Sequence, residues 1–351
     1  MSFRGRFPIL LALAAICVCS VTLQAQTYTF TDMGTLRPGS ARVHAINASG
    51  QVVGASGLPH GGDTRAFFWQ KAGGIRDIGA LAGGDYSSAF GINDSGQVVG
   101  SSNTASSLHA FSWTSAGGLQ DIGTLPGQDS SEAYGINNNG QIVGASGGHA
   151  VVWTNGAIQD LGTLGGSTSE AHGINNLGQI VGFSDTADGQ RAVMWSNGQA
   201  QQLGTLPGDT SSRADHINDA GVVVGASQGS GGVRAFLWTQ SSGMQAIPAL
   251  SGSTYSEAFS VNSSGQVVGQ AGTSLGTRAF LFTSSGGTVD LNDLVPSLPA
   301  NVVLTGAFSI NDAGQIVAFG IKGGNANRHQ PATMDSHIHS GPTRIFLLTP
   351  Q

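Results

Sequence analysis

One short unit recurs through the whole chain. Its clearest copy is Ala89-Phe90-Gly91-Ile92-Asn93-Asp94-Ser95-Gly96-Gln97-Val98-Val99-Gly100. Seven copies are centred on Asn47, Asn93, Asn137, Asn175, Asn218, Asn262 and Asn311, at spacings of 46, 44, 38, 43, 44 and 49 residues. A period near forty-four residues means a repeat architecture, in which each period is one supersecondary unit that buries its faces against its neighbours. Length alone would allow several independent domains, but a continuous repeat argues for one.

The unit also carries its own local geometry. Glycine stands three residues after the asparagine in every copy: Gly50, Gly96, Gly140, Gly178, Gly221, Gly265 and Gly314. That regularity marks a backbone site needing a positive φ, which glycine adopts at low cost. The Asn, Asp and Ser residues before it close turns through side chain to backbone hydrogen bonds. The unit therefore reads as a β-hairpin with a type I turn and a glycine bulge. Its two arms are strand A (Phe-Gly-Ile-Asn) and strand B (Gln-Val-Val-Gly).

Two further extended runs complete the period. Strand C is Ala110-Phe111-Ser112-Trp113 and its relatives, and all five tryptophans (Trp69, Trp113, Trp153, Trp195 and Trp238) occupy its last position. Strand D is Asp121-Ile122-Gly123-Thr124-Leu125, with relatives at Asp77, Asp160 and Asp290. Four short strands bounded by Gly, Ser and Asn form one propeller blade. The segment Tyr28 to Leu36 is a D strand with no A, B or C before it, whereas the last period, from Ala307 to Thr349, has no D. An open stack would expose an unpaired strand at each end, and an open solenoid would carry atypical caps. The expected fold is an all-β seven-bladed propeller over residues 26–351, closed by a composite blade of the N-terminal D strand with the C-terminal A, B and C strands.

Within strand A, small residues stand four before the asparagine (Val43, Ala89, Ala133, Ala171, Ala214, Ala258, Ala307). Larger ones stand three before it (His44, Phe90, Tyr134, His172, Asp215, Phe259, Phe308). Both sets are expected between blades, small facing large, with the tryptophans filling the same layers.

The first 25 residues read as an export signal: Arg4 and Arg6, then an apolar core from Phe7 to Leu23, with cleavage near Ala25. An uncleaved anchor is the alternative. Cleavage would remove Cys17 and Cys19, the only cysteines, and so every disulfide and thiolate metal site. It would also leave twelve basic residues against twenty acidic ones, moving the net charge from -6 to -8. Lys71 and Lys322 are the only lysines. Nucleic-acid binders need basic patches, so nucleic acid is excluded as an expected partner. No later apolar run is long enough to span a bilayer. The expected product is secreted, periplasmic or at the cell surface, and monomeric.

The unit His109-Ala110-Phe111-x-Trp113, with Gly-Ile-Asn-x-x-Gly-Gln-Val-Val-Gly and Asp-Ile-Gly-Thr-Leu, resembles the HAF family of bacterial extracellular repeats. The His-Ala-Phe triplet is intact at His109 and becomes Arg-Ala-Phe at Arg65, Arg234 and Arg278. The resemblance covers almost the whole mature chain. It implies a secreted bacterial repeat protein and lends no catalytic residue.

Loop lengths separate two ends. The A–B and C–D turns are short, while B–C loops and D–A segments vary and share one face of a meander. Function concentrates on variable loops held by a rigid scaffold, so that face is the expected binding face. The residues five before the asparagine should rim the channel there: Arg42, Ser88, Glu132, Glu170, Arg213, Glu257 and Gly306. Arg42, Glu132, Glu170, Arg213 and Glu257 could recognise a glycan, a peptide or a cell-surface partner; the plainer reading is a solvated rim. Glu132 and Glu170, on adjacent blades, could serve glycoside hydrolysis, although duplication explains a repeated acid equally well. Asp335, His337 and His339, in the segment Gly320 to Thr343, are weak zinc candidates; surface histidines are the commoner case. No cofactor is expected. Asp94, Asp219 and Asp312 read as turn formers rather than calcium ligands. A non-enzymatic binding scaffold leads, ahead of a structural or adhesive surface protein and a hydrolase or lyase at the channel mouth.

Overall fold

The computed structural model describes residues 26–36, 41–57, 64–322 and 343–351. The proposed export signal and Asp335, His337 and His339 lie outside the described residues. The rest forms seven four-stranded antiparallel sheets, each in A-B-C-D order, set around a central axis. Blades 1 to 6 occupy residues 41–77, 87–121, 131–160, 169–204, 209–246 and 255–290. Blade 7 takes its A, B and C strands from Val302–Ile310, Ile316–Lys322 and Thr343–Pro350, and its D strand from Tyr28–Asp32. Closure is in register: Tyr28 pairs with Pro350, Phe30 with Leu348 and Asp32 with Phe346. The pairing continues past the strand, where the Met33 amide donates to the Ile345 carbonyl at 3.0 Å.

The hairpin turns form as the glycines require. All seven have φ between +73° and +80°. Each glycine amide donates to the motif asparagine's carbonyl, and each asparagine amide donates to the carbonyl four residues on, as at Gly96, Asn93 and Gln97. The asparagine also has a second task. Its Nδ2 donates to the backbone carbonyl of the motif asparagine in the next blade, from Asn47 to Asn93 (3.0 Å) and onward to Asn311, which returns to Asn47 (3.0 Å). Seven buried side chains thus close a ring of hydrogen bonds around the axis. A second bond follows wherever the next residue is Asp or Asn. Asp94, Asn138, Asn176, Asp219 and Asp312 each accept the corresponding backbone amide of the preceding blade at 2.8–2.9 Å. The acids read from sequence as turn formers therefore also latch adjacent blades.

Seven apolar clusters fill the seven blade interfaces. Trp69 packs with Val317, Ile345 and Leu347 of blade 7, and Trp113 with Val53, Ala66 and Ile78 of blade 1. All five tryptophans are 5% exposed or less. Serines pin the interfaces. Ser131 Oγ accepts the Ala110 amide (2.9 Å) and donates to the Gly123 carbonyl (2.8 Å), and Ser87, Ser169 and Ser212 do the same in their blades. In four blades the basic residue that opens strand C meets the aspartate of strand D: His109 with Asp121 (2.7 Å), His149 with Asp160 (2.8 Å), Arg278 with Asp290 (3.6 Å), and Arg344 with Asp32. Blades 4 and 5 place Gln202 and Ala246 at the paired positions. There Arg191 donates instead to the Thr210 carbonyl and Arg234 pairs with Asp209.

The expectation that the two strand A residue sets pack together between blades is half wrong. The small residues are buried in the interfaces, at 1% exposure or less. The larger ones line the channel instead. In every strand A the ladder to strand B slips between the residues four and two before the asparagine. The residue three before is the extra member of a β-bulge, which re-aims its side chain toward the axis. The strand B glycine opposite follows from this. A Cβ on Gly144 would lie 1.9 Å from the Glu132 carbonyl oxygen, and Gly54, Gly100, Gly182, Gly225 and Gly269 are crowded in the same way.

Candidate functional site

The seven A strands touch one another in sequence around the ring and form the channel wall. The channel has two unlike ends. The A–B turn end is a small space of about 190 Å³, lined by the motif asparagines and their neighbours. The opposite end opens into a cavity of about 880 Å³. Gly57, Thr64 and Gln190, beside B–C connections, and Tyr86 and Thr168, in or beside D–A segments, line this cavity. The variable loops therefore share a face with the larger cavity.

All seven bulge residues line that cavity. Over most of the circumference they form an aromatic arc. His44, Phe90 and Tyr134 follow one another at centroid separations of 5.0 and 5.6 Å. Phe259 and Phe308 stack at 4.8 Å with their planes 10° apart, and Phe308 stacks on Phe319 at 4.9 Å. These separations suit offset and edge-on aromatic pairs.

Blade 5 breaks the arc with Asp215, and a charged network replaces it. Asp215 Oδ1 accepts from Arg213 Nε at 2.7 Å and lies 3.5 Å from His172 Nδ1. His172 Nε2 is 3.3 Å from Glu170 Oε2. Burial alone would lower the His172 pKa, yet the Asp215 and Glu170 carboxylates beside it hold it above the usual histidine value. Burial would likewise raise Asp215, but the Arg213 guanidinium and then His172 keep it below the usual carboxylate value. The group is an acid–imidazole–acid chain with a guanidinium at one end. It can hold a proton on His172 and offer Glu170, 36% exposed, to a bound molecule.

The rim residues expected from sequence divide. Arg42, Ser88, Glu170 and Arg213 line the cavity. Glu257 is 3% exposed and accepts from Gln270 Nε2 at 2.7 Å, and its pKa is raised, chiefly by burial. Glu132 is half-buried; burial raises its pKa and the Glu170 charge adds to the rise. The bulge residues were the larger omission. Strand alternation puts residues three and five before the asparagine on one face, so that signal was available in the sequence. Among the described residues, no group of three His, Cys, Asp or Glu side chains is placed to hold a metal ion. No helix among them is long and apolar enough to cross a membrane.

No protein-family model matches the chain, and neither does any curated protein. Solved structures are similar in fold. A catalytically inactive virginiamycin B lyase from Staphylococcus aureus, with quinupristin, aligns over 92% of this chain and 99% of its own, with 12% identity and a TM-score of 0.53. The extracellular domain of a one component system from B. thetaiotaomicron aligns over 84% of this chain and 39% of its own, with 12% identity and a TM-score of 0.52. The β-propeller domain of the Trilobed protease from Pyrococcus furiosus, described as having an open velcro topology, aligns over 74% of this chain and 84% of its own (13% identity, TM-score 0.51). At these identities the likeness is one of architecture alone. The present ring differs from the open velcro in that its first strand pairs with its last.

Proposed function

We propose that this chain is a secreted propeller of the HAF-repeat kind and acts as a binding scaffold. Its ligand would enter the channel on the face of the B–C loops and D–A segments. One observation carries the reading: the larger cavity, of about 880 Å³, pairs an aromatic arc with the Glu170–His172–Asp215–Arg213 network. Ligand sites are concave, mainly apolar and aromatic, with a few convergent polar groups. Glu170, with Arg42 at the rim, would read polar groups of a glycan, a peptide or a surface partner, while the rings cover its apolar face. The test is a structure soaked with mixed oligosaccharides and short peptides. The reading expects ordered ligand against Glu170 and the bulge rings; a channel left with solvent only at millimolar concentrations of every probe would sink it.

A hydrolase or lyase is the second reading. It is favoured by His172 standing between two carboxylates, with 3.3 Å to Glu170 and 3.5 Å to Asp215, an arrangement suited to general acid or base work. Release of product from a polysaccharide panel, abolished together in His172→Gln and Glu170→Gln but kept in Glu132→Gln, would establish it.

A further inference from the structure

The walls of the channel are unequal in charge. On blades 4 and 5 Glu170, Asp185 and Asp215 line the cavity against one guanidinium, Arg213, and the half-buried Glu132 and the buried Glu257 stand on the flanking blades 3 and 6. That guanidinium is already committed, because Asp215 accepts from its Nε at 2.7 Å. Among the remaining acids, Glu170 is the open one. The acids also disfavour one another: Glu132 is raised by Glu170, and Glu257 by Asp215, in each case on top of burial. The facing arc, through blades 6, 7, 1 and 2, presents phenyl and imidazole rings, and its one formal charge is Arg42, out at the exposed rim.

From this division, and resting on the ligand-binding reading above, we infer that the channel selects an organic cation. Its positive group, an amine or a guanidinium, meets Glu170 and the carboxylates behind it, and its flat apolar body lies against the Phe259–Phe308–Phe319 stack. The inference follows from three terms of one sign. Carboxylates attract the cation. Aromatic faces attract it through their quadrupole and repel an anion. A cavity of about 880 Å³ admits a body of several rings or a short peptide. A bare metal ion is the wrong guest, since it wants a closed shell of oxygen or nitrogen ligands, which the rings interrupt. A neutral sugar can donate hydroxyl hydrogen bonds to Glu170 but gains no Coulombic attraction from the surplus of acids.

Tryptamine and indole-3-acetate test this, having the same ring and opposite charge. Each is titrated calorimetrically into the full mature chain, beside a mixed oligosaccharide pool. The expected result is heat with tryptamine and none with indole-3-acetate. Glu170→Gln should weaken tryptamine roughly fivefold, and Arg42→Gln should tighten it roughly twofold, as removal of one partly exposed charge does. Phe308→Leu should weaken it without altering salt sensitivity, whereas Glu170→Gln should reduce that sensitivity. Equal binding of both indoles, or oligosaccharide binding abolished by Glu170→Gln with no response to tryptamine, overturns the cation inference and leaves the scaffold reading standing. Silence from all three probes overturns the cation inference, and the soak with oligosaccharides and short peptides then decides the scaffold reading.

Discussion

His172 and His216 occupy neighbouring blades and answer protons in opposite ways. His216 Nδ1 accepts the Val261 amide at 3.4 Å, so its neutral form is built into the blade 5–6 contact. Burial pushes its pKa down to about 4. An unfolded chain, with a histidine pKa near 6.5, therefore binds more protons than the folded one between pH 4 and 6.5. Stability from this residue is complete above pH 6.5 and is lost as pH falls through that window. From pH 7 to pH 5 the loss should be about 2 kcal/mol. Ser260 holds the equivalent position one blade on and accepts the Ile310 amide through its hydroxyl at 3.4 Å. His216→Ser should therefore keep the bond and flatten the acid limb of a urea-midpoint profile. An unchanged pH slope would contradict the assignment. His172 has the reverse sign. Its folded pKa is raised, so its contribution is present below pH 6.5 and is lost as pH rises through the folded value. In His172→Gln that alkaline loss should vanish. The asparagine ring allows a sharper residue-level expectation. Asn137→Ala removes the donor to the Asn175 carbonyl and leaves that carbonyl buried without it; a loss of roughly 2–3 kcal/mol in chemical denaturation is expected.

At the scale of one blade, the sequence was legible where a residue answers to its own backbone and opaque where it answers to the next blade. Gly96 announces its positive φ, and Asn93 its turn. Nothing local announces that Asn93 reaches Asn137 across 44 residues, because the same side chain would serve either purpose. Ser131, which pins strands C and D of blade 2 from blade 3, is equally silent, and only the recurrence of serine six residues before five of the seven asparagines hints at a task. The bulge residues were missed because Phe90 and Tyr134, being apolar and aromatic, read as core, although alternation sets them on the same face as Ser88 and Glu132. Gly144 gives the test. With Glu132 O only 1.9 Å from the position of an added Cβ, Gly144→Ala should force the bulge apart and cost roughly 3 kcal/mol, measured by thermal unfolding. Trp113 lies 5.5 Å from Phe68 across the blade 1–2 layer and 4% exposed. Trp113→Ala should cost about 3–5 kcal/mol; a loss under 1 kcal/mol would place its burial elsewhere.

For the whole molecule, the seven-fold count and the composite blade followed from the sequence because repeats and a strand missing from one end are visible without coordinates. The charge division of the channel was not visible, since it depends on which side chains the bulges bring inward. Closure is testable by removing residues 26–36. This deletion strips the outer strand from blade 7 and leaves the Thr343–Pro350 edge unpaired. Unpaired edges recruit other chains, so light scattering should show self-association, and thermal unfolding should lose its single sharp transition. A deletion variant that stays monodisperse and melts as sharply as the parent would mean the ring holds without that strand.

The strand synthesised first is the one that must wait longest for its partner. Tyr28–Asp32 emerges more than three hundred residues before Thr343–Pro350. During that interval six blades can stack, but the circle stays broken and two raw margins face solvent. Assembly therefore ends in a single act of closure, when the last segment arrives.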